Sequence, residues 1–172
     1  MAWTIDATHS HVGFSVRHMV VSTVRGEFRT FTGTVNFDEA NPAASSVEAE
    51  VQTASISTHD DNRDNHLRSA DFFDAEKYPT ITFKSTSVEK AGDDYKVTGD
   101  FTLHGVTRPI TFTLEYSGTV KDPYGLQRAG FSAKTKINRK DYGLTWNNLL
   151  ETGGAIVSDE VKIELEVEAT QQ

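Results

Sequence analysis

His9 and His11 stand two residues apart in IDATHSHVGF, a spacing at which an extended strand turns both imidazoles to one side, as a metal-binding pair requires. A cupin-like site would also need a carboxylate shortly downstream and a third histidine in register. Phe14 and Ser15 occupy the place of that carboxylate. His59, Arg63 and His66 can share one helix face, but a guanidinium between two imidazoles repels a cation. Ser10 lies between two histidines with Asp6 nearby, yet no G-x-S-x-G elbow accompanies it, and alternate strand residues diverge. Asp60, Asp61, Asp64, Asp71 and Asp74 supply carboxylates without an identifiable acid–base pair. No phosphate-binding or dinucleotide-binding glycine fingerprint occurs. The expectation is a chain that is not an enzyme, with no catalytic residue, no metal and no cofactor.

Composition narrows the remaining classes. The 172 residues fit one domain, 1–172, and 37% hydrophobic residues are enough for a packed interior. A formal net charge of −8 disfavours nucleic acid and anionic membrane surfaces, because both are held by basic residues. Zero cysteines exclude disulfides and thiolate chemistry. The N-terminus lacks an apolar h-region, so the chain reads as soluble and cytoplasmic, or periplasmic where a leader has been removed.

The elements that must position these residues are strands. HVGFSVRHM, VRGEFRTFTGTVNF, VEAEVQTASI, TITFKSTSV, YKVTGDFTL, ITFTLEYSG, AGFSAKTKI and VKIELEVEA each alternate apolar and polar residues. In the second, Val24 and Phe28 share one parity while Phe31, Val35 and Phe37 share the other, the trace of a bulge or bend. The segment NRKDYGLTWNNLLETGG is irregular but carries Tyr142, Leu144, Trp146, Leu149 and Leu150. Between the third and fourth strands lies the only long interruption, Ser55 to Phe83. Thr58 can cap a short polar helix there, and Asp64 and Arg68 are spaced for an i,i+4 ion pair. The predicted class is all-β: an eight-stranded antiparallel up-and-down barrel with one short helix in the loop between strands 3 and 4. Such a barrel is either just filled by side chains or holds one small ligand, and the pattern leaves both open.

IDATHSHVGFSVRHM, GEFRTFTGTVNFD, RDNHLRSADFFD, KYPTITF and LHGVTRPI together resemble the YceI-like family over essentially the whole chain, in the family's order. The resemblance implies an elongated, lipocalin-like barrel that binds, transports or stores an isoprenoid lipid, such as a polyprenyl phosphate or an isoprenoid quinone. It also implies a homodimer and transient membrane contact. On this reading the lining residues are Phe14, Val16, Phe28, Phe31, Val35, Ile81, Phe83, Phe101, Leu103, Phe112, Leu114, Phe131, Trp146, Ile163 and Leu165. Arg63, His66, Arg17, Arg68 and Arg108 are the head-group candidates, and Leu67, Phe72, Phe73 and Tyr78 form a lid over one barrel end. The alternatives are an enzyme of the same barrel type acting on a hydrophobic substrate, and a metal-binding module.

Overall fold

The computed structural model describes residues 2–19, 21–146 and 157–171. Leu149 and Leu150 lie outside them. Among the described residues eleven strands form one antiparallel sheet. They are β1 (Ala2–Ile5), β2 (His11–His18), β3 (Ser22–Phe28), β4 (Phe31–Asn36), β5 (Ser46–Gln52), β6 (Ile56–Ser57), β7 (Thr80–Ala91), β8 (Asp94–Leu103), β9 (Val106–Lys121), β10 (Gln127–Asn138) and β11 (Glu160–Gln171).

The parity switch read in the second strand is a corner. The chain breaks at Arg29 and Thr30, so that β3 and β4 are two halves of one wall strand. Its neighbour breaks at the same height: β5 pairs β4, a 3₁₀ turn at Thr53–Ser55 intervenes, and β6 pairs β3. From there the wall runs β5–β7–β8–β9–β10–β11–β2 and back to β3. The result is a closed antiparallel barrel of eight wall strands with extra short strands. β1 fits the remaining gap, pairing both β4 and the far end of β11.

Side chains inside the barrel form two clusters that share Phe37, Val47, Leu114 and Tyr116. Toward one end, Trp3, Val35, Ala129, Phe131 and Ala169 pack with the partly buried Phe37, Val47, Leu114, Tyr116 and Val167. Phe37 is the hub of this layer, with ring centroids 5.3 Å from Tyr95, 4.7 Å from Tyr116 and 5.6 Å from Phe131. Mutual tilted and edge-on aromatic contacts of this kind fill the barrel and close that end as a floor. The second layer, built on Phe28, Ile81, Phe83, Phe101 and Leu103, is nearer the helix.

Beside the floor residue Ala129, Arg128 ties three elements. Its Nε donates to Asp122 at 2.8 Å and its Nη1 donates to Asp6 at 3.1 Å and Glu168 at 2.8 Å. His9 and Arg128 hold the Asp6 carboxyl below its usual range. Desolvation alone would raise Asp122, but Arg128 and the Leu126 and Tyr124 amides outweigh it and lower that carboxyl too. Carboxyls lowered by folding stabilise the folded state above their unfolded pKa, about 4, and that stabilisation is lost as pH falls through the lower folded values. The melting temperature is therefore expected to fall as the pH drops below about 4. Arg128→Met should melt lower at neutral pH and show a shallower acid limb; an unchanged limb in thermal melts would detach the acid response from this cluster.

The helix α1 (Asp61–Arg68) differs from expectation in two places. Asp60, not Thr58, is its N-cap, accepting from the Arg63 amide at 3.1 Å. Asp64 does not pair with Arg68. It is buried and accepts from the Thr58 amide at 2.8 Å and the Thr58 hydroxyl at 2.5 Å. A carboxylate turned inward costs least when several donors meet it, and Thr58 supplies two. Arg68 instead donates to the carbonyls of Ala54 and Ile56, which pins α1 to the β5–β6 corner.

Candidate functional site

Between α1 and the aromatic floor is an apolar chamber of about 360 Å³. Val12, Phe14 and Val16 of β2, Phe28 of β3, Ala49 and Val51 of β5, and Ile81 and Phe83 of β7 form one side of it. Phe101 and Leu103 of β8, Phe112 of β9, Ile137 of β10, and Val161, Ile163 and Leu165 of β11 form the other. Leu67, Phe72 and Phe73 face it from the α1 segment, beside Trp146. Three of the four expected lid residues thus line the chamber. Tyr78 does not: its ring packs on His104, 4.7 Å between centroids, at the β8–β9 hairpin.

Of the lining residues expected from sequence, Phe14, Val16, Phe28, Ile81, Phe83, Phe101, Leu103, Phe112, Trp146, Ile163 and Leu165 stand on this wall. Phe31, Val35, Leu114 and Phe131 do not. Phe31 is buried at the β3–β4 corner, and the other three pack in or against the floor. Val12, Val51, Ile137 and Val161 line the chamber without having been singled out, although each has the inward parity of a strand already read.

The polar side chains that reach the chamber are His18, Thr58, Arg63, His66, Thr82 and Arg139. Arg63 donates through Nε to the Thr58 hydroxyl at 2.7 Å and through Nη2 to the Thr58 carbonyl at 2.8 Å. His66 pairs through Nε2 with Asp71 at 2.9 Å, with its ring against Trp146 at 4.8 Å. Arg63 and His66 reach the chamber, whereas Arg17, Arg68 and Arg108 do not line it. Arg17 bonds Thr23 and Arg108 bonds the Asp141 carbonyl. Sequence reasoning missed Arg139, a guanidinium only 3% exposed. It donates to the carbonyls of Ser158 at 3.0 Å, Leu144 at 2.7 Å, Trp146 at 2.8 Å and Val157 at 3.5 Å. Burial lowers its pKa and Asp159, 3.9 Å away, opposes the shift.

The histidine pair at the N-terminus does not converge. His9 bonds Asp6 at 2.8 Å, whereas His11 meets Glu27 at 3.0 Å on the other side. Asp6, His9 and Glu168 do lie close enough to share an ion, but Arg128 already bridges the two carboxylates.

One wall position has an exacting steric requirement. Gly26 pairs with Phe14, and the Phe14 ring occupies the space a side chain there would take. Gly26→Val is expected to push that ring into the chamber and to lower hydrophobic-probe uptake at least about tenfold, on the scale of burying a few fewer methylenes. Fluorescence titration checks it; unchanged uptake would place the Phe14 ring elsewhere.

A closed barrel with an apolar chamber, a helical cap and no convergent catalytic constellation among the described residues has the form of a small-ligand binding barrel. The YceI-like domain family matches residues 3–169, and the chain belongs to that family. Protein YceI of Escherichia coli O17:K52:H18 is 44% identical over 167 residues, covering 97% of this chain and 84% of the relative. The Campylobacter jejuni YCEI protein superposes with a TM-score of 0.78 at 34% identity, covering 97% of this chain and 96% of that one. Burkholderia cenocepacia BcnA superposes with a TM-score of 0.85 at 26% identity, covering 95% and 98%. A polyisoprenoid-binding domain from Saccharophagus degradans, implicated in plant cell wall breakdown, shares the fold at 18% identity and a TM-score of 0.73, covering 99% and 98%.

Proposed function

We propose that this chain binds an isoprenoid lipid in the chamber and carries or stores it without chemical change. The observation that supports this most is the chamber wall itself: continuous aliphatic and aromatic side chains on every wall strand, closed below by the floor and covered by the α1 segment. An isoprenoid tail has no hydrogen-bonding groups and gains about 0.8 kcal/mol for each CH₂ taken out of water, so such a wall is sufficient to hold it. A preformed chamber also reduces the ordering cost of binding. The family membership and the Saccharophagus degradans neighbour's description agree with this reading.

The head group favoured by the mouth is uncharged, as in an isoprenoid quinone, rather than a polyprenyl phosphate. A phosphate is held by charge-assisted hydrogen bonds from cations turned toward it. Here Arg63 donates to Thr58 and Arg139 donates to four backbone carbonyls. Protein purified from bacterial cells is expected to release a neutral prenylated lipid on extraction, identified by mass spectrometry. In competition, an isoprenoid quinone should displace a bound fluorescent probe at lower concentration than undecaprenyl phosphate. Preferential capture of the phosphate would overturn the head-group assignment, and failure of both lipids to bind would overturn the function.

A further inference from the structure

We infer that the outward face of β10, β11, β2 and β3, with the turn between β2 and β3, is a docking surface for a bilayer of anionic phospholipid. Arg25 and Lys162 meet the head groups, and Met19 and Val21 enter between them. The surface stands on its own geometry; its purpose, bringing the chamber to a membrane, rests on the lipid reading above.

Strand register sets a row of cations across four strands. Lys136 stands opposite Lys162, Lys162 opposite Ser15, and Ser15 opposite Arg25. Their chain neighbours Ile137, Ile163, Phe14 and Val24 line the chamber, so the row points away from it. Like charges directly opposite each other destabilise a sheet, so folding itself does not favour Lys162 against Lys136. Lys136 leans on the exposed Glu160 at 3.4 Å, whereas the side chains of Lys162 and Arg25 have no hydrogen-bond or ion-pair partner among the described residues. The adjoining row is compensated: Glu164 stands opposite Lys134, and Glu27 is met by His11 and Arg29. The uncompensated cations are those nearer the β2–β3 turn.

That turn carries the apolar part. Met19 is 41% exposed and Val21 79% exposed. The Val21 amide and the Ser22 hydroxyl both donate to the His18 carbonyl, at 3.2 and 3.4 Å, and Met19 has a left-handed backbone with φ 52°. Such a position suits glycine, asparagine or aspartate, so turn chemistry does not account for a methionine there. Among the described residues the other exposed large hydrophobics, Val120 and Tyr124, lie at the β9–β10 turn, at the opposite end of the barrel and away from the basic row.

Cations beside exposed apolar side chains match the layers of a membrane interface, phosphates outside and acyl chains beneath. An acidic protein surface would answer the cations but not Met19 and Val21. The net charge of −8 opposes approach, but beyond about 8 Å exposed charges are largely screened at physiological ionic strength, so the local face governs contact. Val12, Phe14, Val16 and His18 line the chamber along β2 up to this turn, so a bilayer held here adjoins the chamber.

The test is co-sedimentation with vesicles of phosphatidylcholine, with and without phosphatidylglycerol. The protein should partition onto the anionic vesicles and be released by high salt. Arg25→Gln and Lys162→Gln should each lower the partition about fivefold, the effect of one basic residue at an anionic surface. Lys121→Gln makes the same change in net charge at the opposite end and should leave it unchanged. Because the chain has no cysteine, Val21→Cys and Val120→Cys each accept a single environment-sensitive dye. Anionic vesicles should shift the emission of the dye at position 21 to the blue and leave that at position 120 unchanged. No vesicle binding, equal losses in Lys162→Gln and Lys121→Gln, or a blue shift at position 120 alone would each overturn the docking surface. Uptake of a farnesol probe by the wild-type protein in vesicle-free solution is a separate measurement: its failure would count against the isoprenoid reading and leave the vesicle result standing.

Discussion

Arg139→Met is expected to destabilise the protein by about 3 kcal/mol or more, because several carbonyls lose their donor and each orphaned buried carbonyl costs about 1–3 kcal/mol. The carbonyls at stake belong to Leu144, Trp146, Val157 and Ser158, all outside regular hydrogen-bonded strands. Leu144, Trp146 and Val157 are also chamber wall, so one guanidinium shapes part of the mouth. Against that loss stands the relief of no longer burying a charge, which burial already disfavours here. Relief is the smaller effect because the Arg139 side chain meets its carbonyls with good geometry and Asp159 lies nearby. Arg139→Lys should recover only part of the stability: an ammonium keeps the charge but cannot span the same carbonyls with a planar group. Thermal melts of both variants check the order wild type, Lys, Met. A Met variant as stable as wild type would mean that water replaces the guanidinium at those carbonyls.

The residues around Arg139 give no local sign of its burial. NRKDYG is a run of charged residues before a glycine, which ordinarily describes a solvated turn, and nothing local distinguishes its arginine from Lys140. Burial is decided by the strands that meet around it. The same holds for Asp64, whose spacing to Arg68 suggested a surface ion pair. The tertiary position of Thr58 turned it inward. Tyr78 is close to Phe72 and Phe73 in sequence, but the turns around Asp74 carry it to the β8–β9 hairpin.

The barrel was legible because alternation reports directly on which side of a sheet a residue faces. Even the β3–β4 corner showed, as a change of parity between Phe28 and Phe31. Alternation carries no information on height along the barrel axis. Phe131 and Phe112 have the same inward signature, yet one belongs to the floor and the other to the chamber. That distinction depends on the stagger between strands, which only the register supplies. The same holds for Phe31, Val35 and Leu114, whose inward parity is that of the chamber residues. The short β1, with Trp3 and Ile5, was too brief to show a period.

The difference between wall and floor predicts opposite consequences for the same charge. Phe131→Asp places a carboxylate among Phe37, Tyr116 and Val35, in a layer of almost entirely aromatic and aliphatic side chains. The lost ring alone costs about 3–5 kcal/mol, and the unpaired carboxylate adds to it. The melting temperature should fall steeply, while the molecules that stay folded keep their capacity for a prenol probe. Ile163→Asp places the same group on the chamber wall, where an unliganded chamber can admit water around it. Its stability loss should be the smaller of the two. Its binding loss should be the larger, because a bound tail must strip that water away at a cost of about 3 kcal/mol or more. At about 1.4 kcal/mol per tenfold this is a loss of roughly a hundredfold in prenol affinity. Paired melts and probe titrations give both quantities for each variant. Equal binding losses would mean that the floor is part of the ligand site, and unchanged binding in Ile163→Asp would place the ligand outside the chamber.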